Sequence, residues 1–100
     1  MYSFSFHPEA QKELKKLNNS IQILFTKKLE KILNTPEIGV DLGNKNNLNL
    51  SGFTKVYFNN KRNRIVYEII ENKIMIYIVA VGKRDDMDVY KKANSRINCK

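Results

Sequence analysis

The sequence predicts an α+β domain, an antiparallel sheet with a helical hairpin packed on one face. Three observations carry this. Apolar residues alternate in a short N-terminal segment, recur at helical spacing in the next two, and alternate again in three segments of the second half. The chain has 100 residues, the size of one domain with one core. It is 42% hydrophobic and 28% charged, a globular composition rather than a disordered one. No internal repeat, linker or low-complexity tail divides residues 1–100, so a single domain is expected.

The segment Tyr2 to His7 places Tyr2, Phe4 and Phe6 on one side and Ser3 and Ser5 on the other, as in a half-buried strand. Pro8 suits the first helical position, where its missing N–H would be unpaired anyway. Ala10, Leu14 and Leu17 then continue a helix over residues 8–17. Asn18-Asn19-Ser20 breaks it and offers a cap for the next. Ile21, Leu24, Phe25, Leu29, Ile32 and Leu33 form the apolar stripe of a second helix, which ends near Asn34 before Thr35-Pro36. Lys27, Lys28, Glu30 and Lys31 fall mostly off that stripe and read as a solvated face. The two helices are expected to form an antiparallel hairpin.

Residues 35–52 are rich in Asn, Gly and Asp and read as a long loop, with a brief extended piece at Leu48-Asn49-Leu50. From Phe53 to Asn59 the pattern alternates, with Val56 and Phe58 opposite Lys55, Tyr57 and Asn59. Asn59-Asn60-Lys61 is a turn signal. Arg64 to Ile70 is a strand, Glu71-Asn72 a tight turn, and Ile74 to Val81 a strand apolar on both faces and therefore central. Such short turns join antiparallel neighbours, so the sheet is expected to combine the N-terminal strand with a three-strand meander. Gly82-Lys83-Arg84 leaves the sheet. Asp85, Asp86 and Asp88 before Lys91, Lys92 and Arg96 suit the two ends of a short C-terminal helix.

Several classes of function are disfavoured. The longest apolar run, Ile74 to Val81, is eight residues, far short of a membrane span. The N-terminus lacks a signal-peptide pattern. Cys99 is the single cysteine and His7 the single histidine, so neither an intramolecular disulfide nor a cysteine-based zinc site is expected. The carboxylates show no metal-ligand spacing, and the four glycines form no phosphate loop. A soluble, cytoplasmic protein with no metal, no cofactor and no membrane partner is the expectation.

Charge is informative. The formal net charge is +8, and it is uneven. Residues 1–52 carry seven lysines against five acids, a net of +2; residues 53–100 carry eleven basic residues against five acids, a net of +6. All four arginines lie in the second half. Arginine offers a planar, permanently charged fork suited to phosphate, so a nucleic-acid partner is indicated. Solubility alone is the plainer use of such a charge.

Lys55, Arg64, Arg84 and Tyr90 are the candidate chemical groups, brought near one another if the helices cover only one face. RNA cleavage without metal needs the 2′-hydroxyl deprotonated, the charge on phosphorus stabilised and the leaving 5′-oxygen protonated. Lysine and arginine stabilise that charge. A lysine or tyrosine acts as a base when a cationic cluster disfavours the ammonium or favours the phenolate. Plainer uses exist for each: Lys55 as a solvated strand residue, Arg64 paired with Glu68 or Asp85, and Tyr90 packed in a stripe with Ala93 and Ile97. Tyr57, Tyr67 and Tyr77 read as sheet packing ahead of base stacking.

Val81-Gly82-Lys83-Arg84, followed by Val89-Tyr90, resembles the C-terminal signature of RelE-type toxins of the RelE/ParE superfamily. Arg64-Ile65-Val66-Tyr67-Glu68 resembles that family's Arg–aliphatic–aliphatic–Tyr strand, and residues 10–36 resemble its helical hairpin. The match spans essentially the whole chain in the same order. It implies the toxin of a type II toxin–antitoxin pair, a ribosome-dependent mRNA endonuclease that cleaves A-site mRNA through the 2′-hydroxyl without metal. Its implied partners are a cognate antitoxin, the ribosome and mRNA. By the same resemblance Lys55 matches a catalytic strand lysine and Arg64 the phosphate-stabilising arginine. Arg84 matches a residue assigned to the transition state or leaving group, and Tyr90 the tyrosine that orients substrate. Tyr57, Lys61, Arg62 and Lys83 are the implied RNA-contacting residues. Tyr57 also marks a departure, because RelE toxins often carry a second lysine there; Lys61 or Arg62 is a candidate source of the missing charge. The alternative is a ParE-like inhibitor of DNA gyrase with no nuclease activity.

Overall fold

Local hydrogen bonds start both helices where the sequence reading puts them. The computed structural model describes residues 2–45 and 48–83 and opens with strand β1 (Ser3–Phe6). His7 caps helix α1 (Pro8–Lys15): its Nδ1 accepts from the Glu9 N–H at 3.1 Å, and Pro8 occupies the first turn. Helix α2 (Asn19–Asn34) starts under Asn18, whose Oδ1 accepts from the Ile21 N–H at 3.0 Å. Gln22 ties the link between them by donating from Nε2 to the Leu17 carbonyl at 2.7 Å. Thr35 ends α2 because the following Pro36 disfavours helical geometry in the residue before it. Phe25, Leu29, Ile32 and Leu33 form the buried face of α2, whereas Leu24 stays 38% exposed.

Four further strands follow: β2 (Val40–Lys45), β3 (Leu48–Phe58), β4 (Asn63–Ile70) and β5 (Met75–Lys83). The sheet order is β1-β5-β4-β3-β2. Strands β2 to β5 pair antiparallel in sequence, and β3 to β5 form the expected three-strand meander. The expectation of a wholly antiparallel sheet is corrected at β1, which runs parallel to β5 with Ser3 opposite Met75 and Phe6 opposite Ile78. Parallel neighbours need a long crossover, and everything from α1 to β4 supplies it. Alternation in residues 2–7 reveals a strand but not its pairing direction.

The long loop expected over 35–52 is also corrected. It holds a 3₁₀ turn (Pro36–Ile38), β2 and the start of β3, which makes a fifth strand. Gly39 permits this. A Cβ there would lie 2.5 Å from Thr54 Cγ2, 2.6 Å from the Lys55 carbonyl oxygen and 2.7 Å from the Tyr67 hydroxyl. The Tyr67 hydroxyl donates to the Pro36 carbonyl at 2.8 Å and pins the turn from β4.

Asn59, Asn60 and Lys61 all take positive φ (55°, 54° and 65°) in the β3–β4 turn. That turn is closed by the Arg62 N–H on the Asn59 carbonyl at 3.0 Å. A 3₁₀ turn (Glu71–Lys73) and left-handed Ile74 join β4 to β5, so the last strand begins at Met75. It also includes Gly82 and Lys83, where the chain was expected to have left the sheet. The C-terminal helix expected beyond Arg84 lies outside the described residues.

The helix-facing core joins Phe58, Ile65, Tyr67, Ile76, Ile78 and Val81 of the sheet to Ala10, Phe25, Leu29, Ile32 and Leu33. On the other face Leu42, Phe53, Val66, Val79 and Ala80 form a second cluster. Adjacent residues Val79 and Ala80 share that cluster because β5 carries a bulge: Tyr67 pairs with Ile78 and Val66 with Ala80, so Val79 is extra. Past Phe6, where β1 stops, α1 serves the edge of β5, and Glu13 Oε1 accepts from the Val81 N–H at 3.2 Å.

Candidate RNA-cleavage site

The bulge at Val79 decides what stands beside Arg64. Beyond it Ile65 pairs with Val81 and Arg64 with Gly82. A regular ladder would have put Val81 opposite Arg64. Gly82 has no side chain, so β5 places none beside Arg64 in this row. On its other side Arg64 pairs directly with Tyr57, and Lys55 sits one row along opposite Val66. Alternation puts Lys55, Tyr57 and Arg64 on one face, the face away from the helices.

Lys55 and Tyr57 touch. Lys55 Nζ donates to the Tyr57 hydroxyl at 2.9 Å and lies 4.9 Å from the ring centroid. In this contact the ammonium donates and the phenolic oxygen accepts. Arg64 is only 3% exposed. The trio thus brings two basic side chains and a phenolic oxygen together on one face.

The remaining expected residues divide. Lys61 and Arg62 are exposed in the β3–β4 turn. Lys61 does not repair a missing charge beside Lys55 so much as face α2. It lines a cleft of about 380 Å³ with Lys27, Lys28 and Lys31, over a floor that includes Leu24 and Tyr57. Lys83 is exposed at the end of β5 opposite Asn63, on the other face from Gly82. Arg84 and Tyr90 lie outside the described residues. The lysines of α2, which the sequence reading gave as a solvated face, line this cleft. Their recurrence at positions 27, 28 and 31 is the available signal, but only the approach of the β3–β4 turn makes them a wall.

Of the other tyrosines, Tyr67 is core. Burial pushes its hydroxyl up to about 12, the Glu37 charge adds to the rise, and a hydrogen bond with the Gly39 backbone opposes it. Tyr77 packs beside the second cluster and tilts against His7, with ring centroids 6.5 Å apart. Among the described residues no group of three or more His, Cys, Asp or Glu is placed to hold a metal ion. No helix among them is long and apolar enough to cross a membrane.

Comparison with known proteins agrees with this architecture. Residues 4–87 match the family described as the ParE toxin of the type II toxin–antitoxin system parDE. An Escherichia coli protein described as RelE-like is 37% identical over 102 residues, covering 96% of this chain and 97% of its own. The mRNA interferase toxin RelE of E. coli K12 is 31% identical over 99 residues, with 96% and 97% covered. A free, doubly arginine-substituted variant of E. coli RelE superposes with a TM-score of 0.76 at 28% identity, again covering 96% and 97%. The same variant has also been solved with an antitoxin peptide bound.

Proposed function

The chain belongs to the RelE/ParE superfamily of type II toxins, and from that premise we propose that it is a ribosome-dependent mRNA endonuclease. One observation carries the proposal: Lys55, Tyr57 and Arg64 share one face of a sheet in a chain 31% identical to an mRNA interferase.

The chemistry follows from the groups. Arg64 binds the scissile phosphate beside Gly82 and stabilises charge developing on its oxygens. Lys55 adds a second cation. Tyr57, Lys61, Arg62 and Lys83 contact the RNA around them. Arg84 completes charge stabilisation or leaving-group protonation, and Tyr90 orients the substrate; both roles rest on resemblance. The 2′-hydroxyl is the nucleophile, and the proposed reaction uses no metal. The ribosome supplies what so small a site lacks, a message held in line for attack. A cognate antitoxin is the expected protein partner and the cytoplasm the expected location.

The test is an in vitro translation reaction with purified protein, reading mRNA 5′ ends by primer extension, alongside Arg64→Ala and Arg84→Ala. Cuts within A-site codons that both variants lose support the nuclease. Ribosomes that bind and translate without cuts overturn it. The matching family is described as ParE, which favours one second reading, inhibition of DNA gyrase. Supercoiling by gyrase in the presence of the wild-type protein tests it.

A further inference from the structure

We infer that Tyr57 is the general base of this nuclease and that Lys55 activates it. The inference rests on the nuclease reading above and deepens it. In the Lys55–Tyr57 hydrogen bond the lysine is the donor, at 2.9 Å. An ammonium has three N–H donors and no lone pair, so Lys55 cannot accept a proton in that state. The phenolic oxygen can.

Position singles out the same atom. Tyr57 is the cross-strand partner of Arg64, so the two side chains leave the sheet from adjacent points on one face. A phosphate held by Arg64 brings its ribose to Tyr57. Among the described residues, Lys55 from its own strand and Arg64 from β4 stand beside Tyr57 on this face. Among the described residues the one carboxylate in register on this face, Glu68, stands in the row of Phe53 and Tyr77, two rows from Arg64. His7 is committed elsewhere, with Nδ1 capping α1.

The step balances. The Tyr57 phenolate takes the 2′-hydroxyl proton as the O2′–P bond forms. The P–O5′ bond breaks, and the departing 5′-oxygen takes a proton from water. Tyr57 returns its proton to the resulting hydroxide. The products are a 2′,3′-cyclic phosphate and a 5′-hydroxyl, with no net uptake of protons.

The experiment is single-turnover cleavage on preformed ribosome–mRNA complexes. It compares wild type, Tyr57→Phe, Lys55→Met, Lys55→Arg and protein carrying 3,5-difluorotyrosine at position 57. Tyr57→Phe should slow cleavage by about 100-fold or more with ribosome binding preserved, the range expected for loss of a general base. Lys55→Arg should exceed Lys55→Met by about tenfold, since arginine keeps the donor but can never serve as a base. Fluorination, which acidifies the phenol, should move the acid limb of the pH–rate profile to lower pH. The inference falls if Tyr57→Phe stays within about threefold of wild type, if fluorination leaves the acid limb unmoved, or if Lys55→Arg is as slow as Lys55→Met. A wild-type protein that makes no cuts overturns the nuclease reading itself, whereas cuts that survive Tyr57→Phe overturn only the inference.

Discussion

Arg64 and Tyr67 sit three residues apart on β4 and face opposite sides of the sheet, and one strand thereby serves two purposes. Both were legible as residue types, since alternation sorts the strand into faces and an arginine among aliphatics asks for an anion. What Tyr67 does was not legible, because its partner is the Pro36 carbonyl, 31 positions away. Its chemistry makes a prediction. The folded hydroxyl ionises near 12 and the unfolded one near 10. Folding therefore favours the neutral phenol, and the associated stability is complete below pH 10 and lost as the pH rises towards 12. Tyr67→Phe removes the donor to Pro36 and should cost about 1 kcal/mol at neutral pH. The variant should also lose stability less steeply between pH 10 and 12. Denaturant titrations at several pH values measure both effects, and parallel curves for the two proteins would contradict the assignment.

At the scale of elements, the helices and the three-strand meander could be read from the sequence because their signals are local. Caps, apolar spacing and turn residues are all carried by neighbours. The parallel pairing of β1, strand β2 and the bulge at Val79 depend on distant partners. Nothing near Val40–Lys45 marks a strand until Gly39 allows its approach and β3 supplies the ladder. The candidate site divides the same way: Lys55, Tyr57 and Arg64 are set by alternation, but Gly82 comes to face Arg64 only through the bulge. The β3–β4 turn adds a conflict of its own. Lys61 holds a left-handed conformation that side chains with a Cβ resist by roughly 1–2 kcal/mol. Lys61→Gly relieves it, partly offset by the greater freedom of glycine in the unfolded chain, for a net gain of about 0.5–1 kcal/mol. If Lys61 contacts RNA, the same change should weaken ribosome binding. Thermal unfolding and ribosome pelleting together check this, and a stabilised variant with undiminished binding would show that Lys61 has no such role.

For the molecule as a whole, the helices cover one face of the sheet, and the candidate chemistry stands on the other. The lysines of α2 line a cleft with the β3–β4 turn, so the helical layer adds cations beside that turn, away from the face that carries the candidate chemistry. This separates two contributions that a single activity measurement would merge. Phosphate contacts far from the cut raise affinity with a marked salt dependence, and contacts at the scissile phosphate raise the rate. Replacing Lys27, Lys28 and Lys31 together with glutamine should therefore act on affinity. Each lost contact with a single strand should flatten the slope of log affinity against log salt by about 0.7, so the triple variant should flatten it by about 2. The deficit should be largest in dilute buffer and shrink as salt is raised. Arg64→Ala should do the reverse, flattening the slope by no more than about one contact's worth while abolishing cleavage at saturating ribosome. Salt-dependent binding and saturating cleavage rates, measured on the same two proteins, distinguish these patterns. A triple variant that lost its rate at saturation while keeping its salt slope would move the α2 lysines from holding the message to cutting it.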